Sequence, residues 1–208
     1  MRVRGCARRS SLARGMLVLA VLATGCGADD PARALVGFVP SGIQQVDTVP
    51  LSDAANGDAA FMFRARPDQL LVVYFGYTAC ADVCPATFAA LKSAISALDD
   101  DGPRVDVAMA TVDPQRDTGE VLTGYVQSFI DDAHALRTDD VSTLRRAGDL
   151  FGVSYQVTAQ PDGQVEVSHS GSTYVVDDDG RVVLTWPFGV TSEDMQGDLA
   201  QLLDRIDA

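Results

Sequence analysis

With 208 residues, 47% of them hydrophobic and 22% charged, the chain is too apolar for a disordered polymer and lacks any collagen-like or tandem-repeat bias. Sixteen basic against 29 acidic side chains give a formal charge of -13, which argues against a nucleic-acid partner, because phosphate backbones are bound chiefly through Lys and Arg. Four cysteines are too few for a disulfide scaffold, so each is read on its own, and the length suits one domain.

Residues 1–25 read as a lipoprotein-type export signal. Arg2, Arg4, Arg8, Arg9 and Arg14 form a basic segment without acids, followed by the apolar run from Met16 to Ala23. A spanning helix needs roughly 20 apolar residues, so this run is the core of a signal and not a membrane span. Ala23-Thr24-Gly25 ahead of Cys26 is similar to a bacterial lipobox, which makes Cys26 the expected lipidation site and residues 26–34 a tether. Cys6 falls within the removed piece. Cleavage takes away five arginines and no acid, leaving 11 basic and 29 acidic groups and a net charge of -18. Such a charge favours solubility and repels anionic surfaces, so a lipid chain, and not electrostatics, is expected to hold the protein on the outer, periplasmic face of the cytoplasmic membrane.

The remainder, 35–208, reads as one α/β domain. Apolar stretches between Leu35 and Leu51, broken by Pro40-Ser41-Gly42, suggest a small N-terminal hairpin. Leu70 to Phe75 is a continuous apolar run, as expected for a strand covered on both faces. Phe88, Leu91, Ile95 and Leu98 recur at helical spacing, Val105 to Val112 suits a second buried strand, and Asp117 with Glu120 three residues later gives a capping signal for a helix carrying Val121, Leu122, Tyr125 and Phe129. Residues 140–150 look helical. Thr173–Val176 and Arg181–Leu184 flank Asp177-Asp178-Asp179-Gly180 as a hairpin, and a last helix places Met195, Leu199, Leu202, Leu203 and Ile206 on one stripe, with Thr191 and Asp194 at cap spacing. The order implies a mixed central sheet flanked by helices.

The first strand runs directly into Gly76-Tyr77-Thr78-Ala79-Cys80-Ala81-Asp82-Val83-Cys84-Pro85. Pro85 suits a first helical turn, so a helix is expected to begin near Cys84, with both sulfurs at its positive end, where thiolates are favoured. Two cysteines separated by three residues can form a reversible disulfide, and their bite also lets two thiolates share a soft ion, Cu(I) above all. A third ligand would hold such an ion better and accommodate Cu(II). The chain has only two histidines, His134 and His169, and spacing alone does not choose between a ligand and an ordinary surface residue for either. His169 falls in a polar loop just before a hairpin strand. A plain structural disulfide is the bland alternative for the cysteine pair.

Tyr74-Phe75-Gly76-Tyr77-Thr78 with Cys80 and Asp82-Val83-Cys84-Pro85 resembles the signature of the Sco/SenC family of copper proteins. Thr111 to Thr118 resembles its second signature, and Phe151-Gly152-Val153 with His169-Ser170 ahead of Thr173–Val176 resembles its third. The resemblance extends from about Leu35 to the C-terminus. It implies a thioredoxin-like fold and a copper site, Cu(I) or Cu(II), made by Cys80, Cys84 and His169. It also implies a role in assembling the dinuclear copper centre of cytochrome c oxidase, the partner being that copper-receiving subunit or another exported copper protein. Asp113, Arg116 and Asp117 are expected to shape the neighbouring loop and cap its helix without being ligands. A thiol–disulfide oxidoreductase, with Cys80 attacking and Cys84 resolving, is the alternative. A peroxidase ranks last, since Tyr77 stands three residues before Cys80 where such enzymes place Thr.

Overall fold

The structure, a computed structural model, describes residues 33–160 and 165–208. The expected signal, most of the tether, Cys6 and Cys26 lie outside the described residues. The central strand is β3 (Leu70–Gly76), preceded by the short pair β1 (Leu51–Asp53) and β2 (Ala59–Phe61). After it come α1 (Val83–Ser96), β4 (Val105–Thr111), α2 (Gly119–Gln127), β5 (His134–Arg137) and α3 (Val141–Phe151). The hairpin β6 (Tyr155–Ala159) and β7 (Val165–His169) follows, and then β8 (Thr173–Val176), β9 (Val182–Trp186) and α4 (Ser192–Ile206). The main sheet has the order β2-β1-β5-β4-β3-β8-β9. β3, β4 and β5 run parallel and the outer strands antiparallel, which gives the mixed, helix-flanked sheet the sequence implies.

The period of two in β3 divides the core. Leu70, Val72 and Tyr74 pack beneath α1, α2 and α4, where they meet Phe88, Leu91, Leu122, Leu199 and Trp186. Leu71, Val73 and Phe75 face Phe63, Leu144 and Phe151 on the α3 side. Every residue of β3 is buried, and each large apolar side chain so enclosed contributes about 1.5–3 kcal/mol. The β8–β9 hairpin turns at Gly180, whose φ of 75° and close contact with Asp47 leave no room for a side chain.

Three expectations change in detail. The N-terminal hairpin exists, but as β1–β2 and not within Leu35–Leu51. The two arms of that earlier stretch bind the free edge of β9 instead of each other. Phe38 pairs with Thr185 and Gln45 with Arg181, while the buried carboxylate of Asp198 accepts the N–H groups of Val36 and Gly37 at 2.9 Å and the indole N–H of Trp186 at 2.9 Å. Asp117 does not cap α2. Thr118 does, its hydroxyl accepting from the Val121 N–H at 3.3 Å, because the Asp117 carboxylate is drawn into the interior. His169 ends strand β7 and does not sit in a loop, a strand too polar and half-exposed to declare itself by alternation.

Candidate metal centre

The loop from Tyr77 to Asp82 joins the buried end of β3 to α1. Tyr77 and Cys80 pack against the core, and polar contacts fix the rest of its geometry. The Cys80 N–H donates to the Tyr77 carbonyl at 3.3 Å, closing a turn, and Asp117 fastens the loop from the side. Its fully buried carboxylate accepts the Thr78 N–H at 3.1 Å, the Thr78 hydroxyl at 2.5 Å and the Thr111 hydroxyl at 2.5 Å, tying the loop to the end of β4. The Thr111 hydroxyl in turn accepts the Asp113 N–H at 3.0 Å, and Arg116 pairs with the Asp113 carboxylate. Asp113, Arg116 and Asp117 therefore shape the loop as expected, and the part played by Thr78 and Thr111 is the one the sequence did not reveal.

At the start of α1, Asp82 occupies the N-cap position without a side-chain cap. The orphan N–H of Cys84 donates instead to Cys80 Sγ at 3.3 Å, so a sulfur takes the place usually held by a capping oxygen. Pro85 brings no N–H to this turn. Cys80 is half-buried, and Cys84 is completely enclosed. Their acidities diverge accordingly. Burial, the largest influence on Cys84, pushes its thiol up to about 12, helped by the neighbouring Cys80 sulfur. Burial also opposes ionisation of Cys80, but hydrogen bonds from the Cys84 thiol and from the N–H groups of Cys84, Asp82 and Val83 outweigh it and bring Cys80 below its ordinary value.

β7 carries His169 to the same place. Its Nε2 lies 3.8 Å from Cys84 Sγ, and its Nδ1 lies 3.0 Å from the Ser170 carbonyl oxygen. A carbonyl only accepts, so Nδ1 carries the proton and Nε2 directs a lone pair at the sulfurs. Burial holds the imidazole below its usual basicity and keeps it neutral. Tyr74 and Tyr77 stand edge-on to the ring, each with centroids 5.8 Å away, and the Tyr74 hydroxyl donates to Cys84 Sγ at 3.6 Å. From α2, Tyr125 contributes a buried hydroxyl without a hydrogen-bond partner among the described residues, its acidity lowered by burial first and then by the two sulfurs. The alternation of β3 marks Tyr74 as facing α1, a signal that would have found it.

The ligating atoms of Cys80, Cys84 and His169 all lie within 4.8 Å of one another. With a first-row ion at about 2.3 Å from sulfur and about 2.0 Å from nitrogen, as for zinc, trigonally placed donors stand roughly 3.7–4.0 Å apart. The triangle therefore fits one ion with shifts of tenths of an ångström, and the donor set, two sulfurs and an imidazole, is soft. The same sulfurs could instead close to a disulfide, which requires about 2.05 Å between them. His134 is elsewhere. Its Nδ1 donates to Asp53 at 2.6 Å, stitching β5 to the N-terminal hairpin.

Residues 63–204 match the model of the SCO1/SenC family. A SCO2-like protein of Rickettsia prowazekii is 30% identical over 129 residues, covering 61% of this chain, and the match spans only 62% of that protein's own length. Among solved structures, the apo Sco1 protein of Thermus thermophilus superposes with a TM-score of 0.72 at 30% identity, over 83% of this chain and 99% of that one. The Bradyrhizobium japonicum ScoI, solved with copper bound, superposes with a TM-score of 0.64 at 26% identity, over 81% and 99%. The fold is thus the thioredoxin-like one of these proteins.

Proposed function

The chain belongs to the SCO1/SenC family, and from that premise we propose that it binds copper through Cys80, Cys84 and His169 and delivers it during assembly of an exported copper protein. The observation that carries this reading is the imidazole of His169. A structural disulfide has no use for an unprotonated Nε2 held 3.8 Å from a buried cysteine sulfur, whereas a metal site needs one. Copper is the cargo. Coordinating thiols must be reduced and deprotonated, so loading releases protons, and oxidation of the pair to a disulfide, with loss of two electrons, abolishes the site. Residues 1–25 serve as an export signal, Cys26 carries lipid, 26–34 form the tether, and 35–208 form the copper domain on the outer face of the cytoplasmic membrane. The dinuclear copper centre of cytochrome c oxidase is the client that the family resemblance favours.

A second reading draws support from the asymmetry of the thiols. Cys80 is accessible and inclined to the thiolate, and Cys84 is enclosed and protonated, the division of labour of an attacking and a resolving cysteine. Competition of the purified chain with a Cu(I) chelator, reduced against oxidised, tests both. We expect one copper per reduced chain, none per oxidised chain, and loss of tight binding in Cys80→Ser and Cys84→Ser. His169→Ala should weaken Cu(II) binding and change its thiolate absorption while the disulfide still forms. Unchanged copper affinity and spectrum in His169→Ala would remove the third ligand, and rapid turnover of a disulfide substrate by the metal-free chain would favour the reductase.

A further inference from the structure

From Ala34 to Val46 the chain runs for 13 residues without a charged side chain, although charged residues make up 22% of the whole. Within that stretch Val36, Phe38, Val39 and Ile43 are 43%, 69%, 60% and 79% exposed. Their exposure is built into the fold. Asp198 holds the N–H groups of Val36 and Gly37, Phe38 exchanges backbone hydrogen bonds with Thr185, and the Val46 N–H is bound by the Gly180 carbonyl. Gly37 sits so close to the sheet that a Cβ would lie 2.6 Å from Leu184 and 2.9 Å from Trp186. The strap cannot roll over to hide its apolar side chains, since its inner face is already committed.

We infer that the strap, residues 36–43, is a bilayer-docking surface whose apolar side chains enter the boundary between headgroups and acyl chains. The inference rests on the lipid-anchor reading for its geometry. Val36 stands ten residues after Cys26, and ten extended residues reach at most about 35 Å, so an anchored chain keeps the strap beside the membrane. The charge balance selects the lipid. The cleaved chain, with 11 basic and 29 acidic groups and a net charge of -18, is repelled by anionic headgroups, and the uncharged strap has nothing to offer them, so a zwitterionic surface is the fitting occupant. Docking also orients the metal centre. β9 ends at Trp186, and Phe188 just beyond it, 55% exposed, lies beside Gly171, two residues after His169. The mouth of the site is then held near the membrane surface, where a membrane-bound client would present its ligands.

The test reconstitutes the full chain, carrying Phe38→Trp, into phosphatidylcholine vesicles with brominated acyl chains. The signal of Trp186, buried beneath the strap, is subtracted with the unsubstituted chain on the same vesicles, and Val141→Trp, at a site 66% exposed on α3, is the control. Emission from position 38 should fall roughly threefold on bromination while the control stays unchanged, and the effect should weaken when phosphatidylglycerol replaces part of the lipid. A vesicle-bound chain whose Trp at position 38 ignores bromine and is quenched by aqueous iodide overturns the inference. Protection from both quenchers overturns it too, by revealing a protein occupant. Mass spectrometry of the same preparation reads acylation of Cys26 separately, so a failed anchor and a failed docking surface are different results.

Discussion

Replacing Asp117 by Ala removes the acceptor of three hydrogen bonds in the interior and leaves the Thr78 N–H, the Thr78 hydroxyl and the Thr111 hydroxyl without their partner. A buried polar group so stranded costs about 1–3 kcal/mol, but two of the three are hydroxyls that can rotate towards other acceptors, so the net loss should be about 3 kcal/mol. Asp117→Asn keeps the shape. Its carbonyl can still serve the Thr78 N–H and the Thr111 hydroxyl, while its amide donates to a Thr78 hydroxyl turned to accept, and the loss falls to about 1 kcal/mol as charge-assisted bonds become neutral ones. Thr118→Ala removes the true cap of α2 and should cost about 1 kcal/mol. Urea unfolding of the reduced, metal-free chain measures these values, with midpoints compared at constant slope. Because Thr78 stands two residues before Cys80, Asp117→Ala should also weaken Cu(I) binding roughly tenfold, equivalent to about 1.4 kcal/mol, whereas Thr118→Ala should leave it unchanged. If Asp117→Ala cost no more than an ordinary cap and spared copper affinity, the loop would not depend on this carboxylate and the reasoning would fail.

Other perturbations probe the frame. Asp198→Ala strands the N–H groups of Val36 and Gly37 and the Trp186 indole, and should destabilise the chain by about 3 kcal/mol with accelerated hydrogen exchange in the strap. Gly37→Ala forces a methyl against Leu184 and Trp186 and should cost about 1–3 kcal/mol by the same unfolding assay. Asp140 caps α3, and hydrogen bonds from Thr143 and then Ser142 hold its carboxyl at about 2, below the usual 3.8. A lowered folded value stabilises the chain above the unfolded value, so the advantage of wild type over Asp140→Ala should be complete above pH 5 and vanish as the pH falls towards 2, read from urea midpoints across that range.

What the sequence disclosed tracks how locally each feature is encoded. α1 and α4 declare themselves through periodicity, and β3 through an unbroken apolar run, because each is buried by its own local pattern. The β8–β9 hairpin is visible through its acidic turn and Gly180. β5 and β7 are short and only partly buried, so neither alternation nor length separates them from loops. The strap along β9 reads locally as a hairpin because its strand-like character is real while its partner is remote: Val36 and Asp198 are 162 residues apart, a pairing no local pattern records. Asp117 shows the same limit. Local spacing makes it a cap, and only the approach of β3 to β4 reveals that Thr78 and Thr111 compete for its carboxylate and win.

The candidate site is legible as a set of residues but not as an electronic arrangement. Cys80, Cys84 and His169 could be named from motif and resemblance, yet which imidazole nitrogen faces the sulfurs depends on the Ser170 carbonyl, a single backbone oxygen. That oxygen decides the chemistry. With Nδ1 protonated, Nε2 can act as a ligand to a metal or as an acceptor for the Cys84 thiol proton, and the two uses are successive: the proton must leave before the ion can bind both donors. Burial makes ionisation of the enclosed Cys84 unfavourable near neutral pH, so its thiolate would depend on the ion its sulfur would hold. Cys80, nearer solvent and already inclined to the thiolate, has no such need. A buried sulfur facing an imidazole Nε2, beside an accessible sulfur at a helix N-terminus, is an arrangement a static crosslink would not need and a soft-metal site would use.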